Sequence, residues 1–250
     1  MCIHYRDAGA GSPLVFLHGG WGYERYPFDR QIASLASRHR IVIPDRSGYG
    51  KSSPIVELPP DFHRRAMKET VLVLDRLGIE RPVLWGHSDG AIIALLLALT
   101  RPDAVSAAIV EATHFYKRKP SSRAFFEGLI ADPVSLDEDV AAAMVRDHAT
   151  AWREVVVRHS RAWHAIADAA ASDTDDFYDG RLSEIGLPVL VVHGAADPRT
   201  EPGELDALRR ALPSAAFAIV PEGRHSPHSQ RATADDVTRI AEQFIDRVCG

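Results

Sequence analysis

Two apolar runs meet across five crowded residues at the centre of this chain. Pro82-Val83-Leu84-Trp85 leads into Gly86-His87-Ser88-Asp89-Gly90, and Ala91 to Leu99 follows as an almost unbroken apolar stretch. Strand, sharp turn and helix in that order constrain the fold strongly. The turn must be tight, and glycine at both 86 and 90 removes the side chains that would collide across it. It also lifts a serine hydroxyl above the end of a sheet, where a base can reach it. Ser88 is therefore the candidate nucleophile. The five-residue pattern alone is short enough to arise by chance, so its value depends on what surrounds it.

The surroundings alternate. Leu14 to His18, Ile41 to Pro44, Val105 to Val110, Leu187 to His193 and Ala215 to Val220 read as buried strands. Helical spacing separates them at Phe28–Ser37, at Asp61–Leu77 closed by Gly78, and at Ala234–Val248. Strands apolar on both faces, alternating with helices, predict an α/β fold with a mostly parallel central sheet covered by helices on both faces. The alternation breaks between about Thr113 and Arg181, where three helices (121–130, 136–148 and 152–170) and no strand are expected. Residues 1–112 and 182–250 are thus read as the core domain, and 113–181 as a helical lid, or cap, inserted over the sheet's C-terminal edge.

Composition narrows the partners. A net charge of −5 offers no basic footprint for nucleic acid. No apolar run is long enough to span a bilayer. The only cysteines, Cys2 and Cys249, sit at opposite ends, so no disulfide framework is indicated. With no signal-like N-terminus, a cytoplasmic protein acting on a small-molecule substrate is expected. Protein partners are not indicated.

A serine hydroxyl needs a base, and the base an orienting acid. Asp197 follows the strand ending at His193, and His225 follows the last strand, so both emerge at the edge that carries Ser88. The order Ser88, Asp197, His225 suits a triad assembled by topology. Glu111 is the alternative acid and His228 the alternative base. The His225/His228 spacing resembles a metal pair, but no third ligand stands near in sequence, and no metal is expected. Oxyanion donors are expected from the backbone N–H of Asp89 and of Gly20, with Trp21 next to it. Gly50-Lys51-Ser52 lacks the upstream glycine of a phosphate loop, because position 45 is Asp45. Trp152 and Trp163, with Phe115, Phe125 and Phe126, are candidates for an acyl pocket.

Taken together, His18-Gly19-Gly20, Asp45 to Gly50, Gly86 to Gly90, His193 to Asp197 and Gly223-Arg224-His225 resemble the α/β-hydrolase pattern over nearly the whole chain. The Ser-Asp-Gly elbow, His193 to Pro198 and Pro221 to His228 are most similar to the biphenyl-hydrolase-like (valacyclovir-hydrolase-like) serine esterases. Ala91 departs from the pattern, since many relatives carry a further glycine there. The short N-terminus has room for one early strand, so the usual first edge strand is expected to be missing. The resemblance implies carboxylic ester hydrolysis without metal or organic cofactor. It also makes attractive a reading in which the Asp89 carboxylate binds a substrate ammonium, as in amino-acid esters. The bland alternative is that Asp89 only supplies negative charge at a helix start. A carbon–carbon hydrolase, a lactonase, an aminopeptidase or a non-catalytic ligand-binding homologue remain as alternatives, because substrate choice resides in the lid. Relatives with an aspartate nucleophile are disfavoured by Ser88 itself.

Overall fold

The computed structural model describes residues 2–250. Seven strands form one sheet: β1 (Tyr5–Ala8), β2 (Ser12–Leu17), β3 (His39–Pro44), β4 (Val83–His87), β5 (Ala107–Glu111), β6 (Val189–Gly194) and β7 (Ala216–Val220). Their spatial order is β1-β3-β2-β4-β5-β6-β7. Every pairing is parallel except that of β1 with β3. The apolar pattern does not mark β1, which reads Tyr-Arg-Asp-Ala and occupies the room ahead of Leu14. It lies at the sheet's edge, where charged side chains discourage further strand pairing. Arg40 of β3 holds Asp7 there at 2.8 Å.

Alternation along the strands sorts the core. Val15, Leu17, Val42, Leu84, Ala108, Val110, Val189 and Val191 face one apolar cluster, shared with α2 (Phe62–Leu77) and α3 (Asp89–Thr100). Leu14, Phe16, Ile41, Ile43, Val83, Trp85, Ile109, Leu190 and Val192 face the other, shared with α1 (Asp29–Leu35) and α8 (Ala234–Cys249). Side chains on a strand alternate between faces, so both sides of the sheet are covered, as expected for a parallel sheet. α3 is buried from Asp89 to Ala98, which explains why its sequence is apolar on every face.

Between β5 and β6 lie three helices and no strand of the sheet: α4 (Pro120–Ala131), α5 (Glu138–His148) and α6 (Trp152–Ala169). Their neck is tied by backbone. Lys117 N–H donates to the Asp175 carbonyl at 2.9 Å, and Phe177 N–H to the Phe115 carbonyl at 3.1 Å. The same neck is anchored to α7 (Glu204–Ala211), a helix the sequence pattern does not announce. The Glu204 carboxylate accepts from the N–H of Phe115 at 2.8 Å and of Tyr116 at 3.2 Å, and it pairs with buried Lys119. No helix among the described residues is long and apolar enough to cross a membrane.

The elbow between β4 and α3 leaves no room for side chains at its two glycines. A Cβ on Gly86 would fall on the carbonyl of Gly90, and one on Gly90 on the carbonyl of Leu17. Gly90→Ala is therefore expected to destabilise the protein by about 1–3 kcal/mol or more, since backbone on both sides must give way. A lowered urea midpoint with an unchanged slope would register that loss.

Candidate active site

Ser88 follows β4 directly with φ 52° and ψ −116°. For a residue with a Cβ this left-handed φ is strained, and strain of this kind is retained where the surroundings enforce it. Here the Ser88 N–H donates to the Glu111 carbonyl at 2.9 Å, while the Ser88 carbonyl accepts from Ala91 and Ile92 in the first turn of α3. The hydroxyl is thereby fixed over the C-terminal ends of the strands.

The topology brings two distant loops to that hydroxyl. His225 Nε2 lies 3.1 Å from Ser88 Oγ, and His225 Nδ1 lies 3.0 and 3.1 Å from the two Asp197 oxygens. The loops carrying acid and base are stitched together, because the N–H groups of Ala195 and Ala196 donate to the carbonyls of Val220 and Gly223. The His87 ring donates from Nε2 to the His225 carbonyl at 2.9 Å, tying the base's loop back to β4. Burial pushes the His225 imidazole below its ordinary pKa; the Asp197 charge opposes that, while Arg199 and Lys119 add to it. Burial alone would raise the Asp197 carboxyl, but the imidazole beside it prevails and brings it down to about 2.

Glu111 and His228 form a separate buried pair. His228 Nδ1 meets Glu111 Oε1 at 2.7 Å, the His228 N–H donates to the same oxygen at 3.0 Å, and Trp85 Nε1 reaches the other at 3.4 Å. Neither alternative partner therefore reaches the hydroxyl. His225 and His228 meet different carboxylates, Asp197 and Glu111. The sequence shows no third ligand, but space supplies two: His87, Glu111 and His228 offer ligand atoms within 4.8 Å of one another. Of these, Glu111 and His228 are hydrogen-bonded to each other, while His87 Nε2 bonds the His225 carbonyl.

The backbone groups expected to face an oxyanion are also placed. Asp89 is the first residue of α3, so its N–H has no acceptor within the helix. Gly20 lies in the wall of the crevice around Ser88. Arg46 braces the loop before it, donating to the His18 carbonyl and, at 3.0 Å, to the Gly19 carbonyl. Trp21 follows with φ 74° and also lines the crevice.

The Asp89 side chain departs from the ammonium-binding expectation. It is fully buried and absent from the crevice wall. One oxygen meets His63 Nε2 at 3.1 Å and the other His159 Nε2 at 2.9 Å, with the Arg46 guanidinium 3.6 Å away. Burial would raise this carboxyl, but the His159 and His63 imidazoles outweigh it and hold it well below the usual carboxylate range. Because His159 belongs to α6, this contact pins the helical insertion onto the elbow. Trp152 is likewise not in the wall. It packs with Tyr49, Val140, Met144 and Val156 in a third apolar cluster. Trp163 does line the crevice.

Four site residues escaped the sequence reading, among them His159, which both meets Asp89 and lines the crevice. His114 Nε2 lies 3.4 Å from Ser88 Oγ, and its ring stacks on that of His225 at 5.6 Å. Burial, with Lys119, His225 and Arg199 nearby, keeps this imidazole well below its ordinary pKa. Tyr26 and Arg199 complete the wall. His114 and Arg199 leave strands β5 and β6 within a few residues of their C-terminal ends, so that position was the available signal. The crevice itself offers about 10 Å³, room for one water at most. It adjoins an outer cleft of about 670 Å³ that shares Trp21, Tyr26, Arg199 and His225. A further cavity of about 390 Å³ between α4 and α6 also contacts Trp163 but includes neither Ser88 nor His225.

A sheet of this order with a strained serine at the β4–α3 turn defines the class, and comparison with known proteins agrees. The model of the alpha/beta hydrolase fold matches residues 12–165. Serine hydrolase BPHL of Mus musculus is 27% identical over 97% of this chain and 82% of its own length. A 2-hydroxy-6-oxononadienedioate/2-hydroxy-6-oxononatrienedioate hydrolase of Paraburkholderia phymatum is 30% identical over 97% of this chain and 90% of its own. An esterase from Thermogutta terrifontis, 21% identical, superposes with a TM-score of 0.69 over 98% of this chain and 93% of its own. The enol-lactonase of Burkholderia xenovorans, 20% identical, gives 0.71 over 98% and 96%. The chain belongs to the α/β-hydrolase family. It is a hydrolase, and the biphenyl-hydrolase-like serine hydrolases are among its relatives.

Removing the Asp89 carboxylate would leave the Arg46 guanidinium unopposed and free α6 from the elbow. Asp89→Ala is expected to cost about 3 kcal/mol or more, the usual penalty for breaking a buried charged pair from one side. Urea denaturation would read it.

Proposed function

We propose that this protein hydrolyses small carboxylic esters through an acyl-enzyme on Ser88. The observation that carries the reading is the 3.1 Å approach of His225 Nε2 to Ser88 Oγ, with Asp197 bonded to the far side of the same ring. His225 accepts the hydroxyl proton as Oγ bonds to the ester carbonyl carbon. The N–H groups of Asp89 and Gly20 receive the oxygen that becomes negative. The imidazolium then gives its proton to the departing alcohol as the C–O bond breaks. Water, deprotonated by the same imidazole, attacks the acyl carbon and releases acid and free serine. Asp197 keeps Nδ1 protonated and stabilises the charged ring. His114, its ring stacked beside that of His225, sits where it can hydrogen-bond Oγ and hold its rotamer. Residues 113–181 act as the lid. The small volume around Ser88 means that Trp21, His159 or Trp163 must shift to admit an ester. The exposed, unpaired Cys2 and Cys249 suit a reducing, cytoplasmic setting.

Carbon–carbon bond hydrolysis is the second reading, favoured by the name of the Paraburkholderia phymatum relative. It uses the same serine and would appear as fluorophosphonate labelling without turnover of simple esters.

Ser88→Ala should abolish both labelling by a fluorophosphonate and hydrolysis of p-nitrophenyl esters, while leaving the thermal transition in place. Near-wild-type turnover by the pure variant would sink the proposal. The pH profile gives a second check. His225 acts only when neutral, and its pKa is lowered, so activity is retained above that pKa and lost as pH falls through it. The acidic limb of kcat/KM is therefore expected below the ordinary histidine value of about 6.5.

A further inference from the structure

Arg199 leaves β6's loop two residues beyond Asp197 and lines both the crevice over Ser88 and the outer cleft. Its guanidinium lies 4.8 Å from the Phe125 ring centroid, 5.5 Å from Phe126 and 5.8 Å from Trp21. Among the described residues no carboxylate lies within 4.0 Å of it, and its side chain donates no hydrogen bond. Many arginines of this acidic chain are matched: Arg6 meets Asp45, Arg40 meets Asp7, Arg64 meets Asp179 and Arg118 meets Asp173. Arg25 and Arg224 line the same outer cleft, also with no carboxylate partner among the described residues, and Asp137 is the single carboxylate in that lining. Arg25 stacks on Tyr26 at 4.4 Å, and its Nε is buried without a partner. A net charge of −5 makes three unopposed guanidinium groups on one cleft a local feature.

We propose that the cleft receives a carboxylate carried by the substrate, with Arg199 as the group that binds it. This rests on the ester-hydrolase reading and narrows its substrates to hemiesters of dicarboxylic acids. Aromatic rings engage the faces of a guanidinium and leave its N–H edges free, which are the edges that meet a carboxylate in a bidentate pair. The rings also restrict the arginine's orientation, so less freedom is lost on binding. Arg199 sits where crevice and cleft join, so one molecule can present its ester to Ser88 and its free carboxylate to Arg199.

The test compares chain-matched methyl esters by pH-stat: monomethyl glutarate against methyl pentanoate, and monomethyl adipate against methyl hexanoate. In the wild type, kcat/KM for the hemiester should exceed that for its neutral partner in at least one pair. Arg199→Gln should lower that ratio roughly 10- to 100-fold, the worth of a charge-assisted hydrogen bond. Arg199→Lys should restore only part of it, and Arg199→Glu should turn the preference toward the neutral ester. Equal loss on both esters would mean that Arg199 merely clamps the rings together, and the proposal falls. Binding is read separately by calorimetry of glutarate with Ser88→Ala, in which Arg199 is intact. Glutarate binding that Arg199→Gln abolishes supports the inference even if Ser88 proves unreactive toward fluorophosphonate, which would sink only the parent reading. Binding of inorganic phosphate but not glutarate overturns the carboxylate assignment.

Discussion

Between β4 and α3 the chain reverses in so little space that the carbonyls of Gly90 and Leu17 stand where side chains at positions 86 and 90 would be. The reversal forces Ser88 to φ 52°. Packing on both sides keeps it there, since α3 is buried along most of its length and β4 is buried throughout. Everything chemical about the site is measured from this point. The hydroxyl stands above the sheet edge, the Asp89 N–H beside it opens α3, and the loops of β2, β5, β6 and β7 converge from their own strand ends. A parallel sheet supplies that convergence because all its strands finish on one rim.

Histidine dominates the rim. His18, His63, His87, His114, His159, His193, His225 and His228 are all buried around or beneath the elbow. Of these, His225 meets Ser88 Oγ at 3.1 Å while its other nitrogen is bonded to a carboxylate. His228 is spent on Glu111, and His63 and His159 on Asp89. Buried imidazoles lose hydration when charged, so a ring is drawn toward its charged form chiefly where a carboxylate sits against it. His225 is thus the imidazole placed between the serine hydroxyl and a carboxylate, while His63, His159 and His228 tie neighbouring elements to the elbow and to Glu111.

Asp89 illustrates how neighbours alter a residue's meaning. Adjacent to the nucleophile, its carboxylate reads naturally as a cation receptor. In space it is claimed by His63 from α2, His159 from α6 and Arg46 from the loop after β3. Among the described residues, the charge on the crevice wall that meets no carboxylate is instead positive and lies on Arg199, caged by rings from α4 and from the loop after β2. The lining of the cleft is therefore set by the helical insertion as much as by the sheet.

Short continuous apolar runs, helical spacing and the paired glycines were enough to read the alternating fold, the three-helix insertion and the chain order of Ser88, Asp197 and His225, because those patterns are local and each records how an element is buried. β1 and α7 were not legible, β1 being a short polar edge strand and α7 a short helix with few buried apolar residues. Glu111 and His228 stayed open as alternatives to Asp197 and His225 along the chain, since both pairs combine an acid with an imidazole near strand ends. Which acid meets which imidazole, that Trp152 packs inward while Trp163 faces Ser88, and that Arg199 stands unopposed are matters of ångström-scale approach between residues far apart in sequence. Pairing energies fall off over those same few ångströms, so they are settled only once the strands are aligned and the helices between β5 and β6 have packed against the elbow.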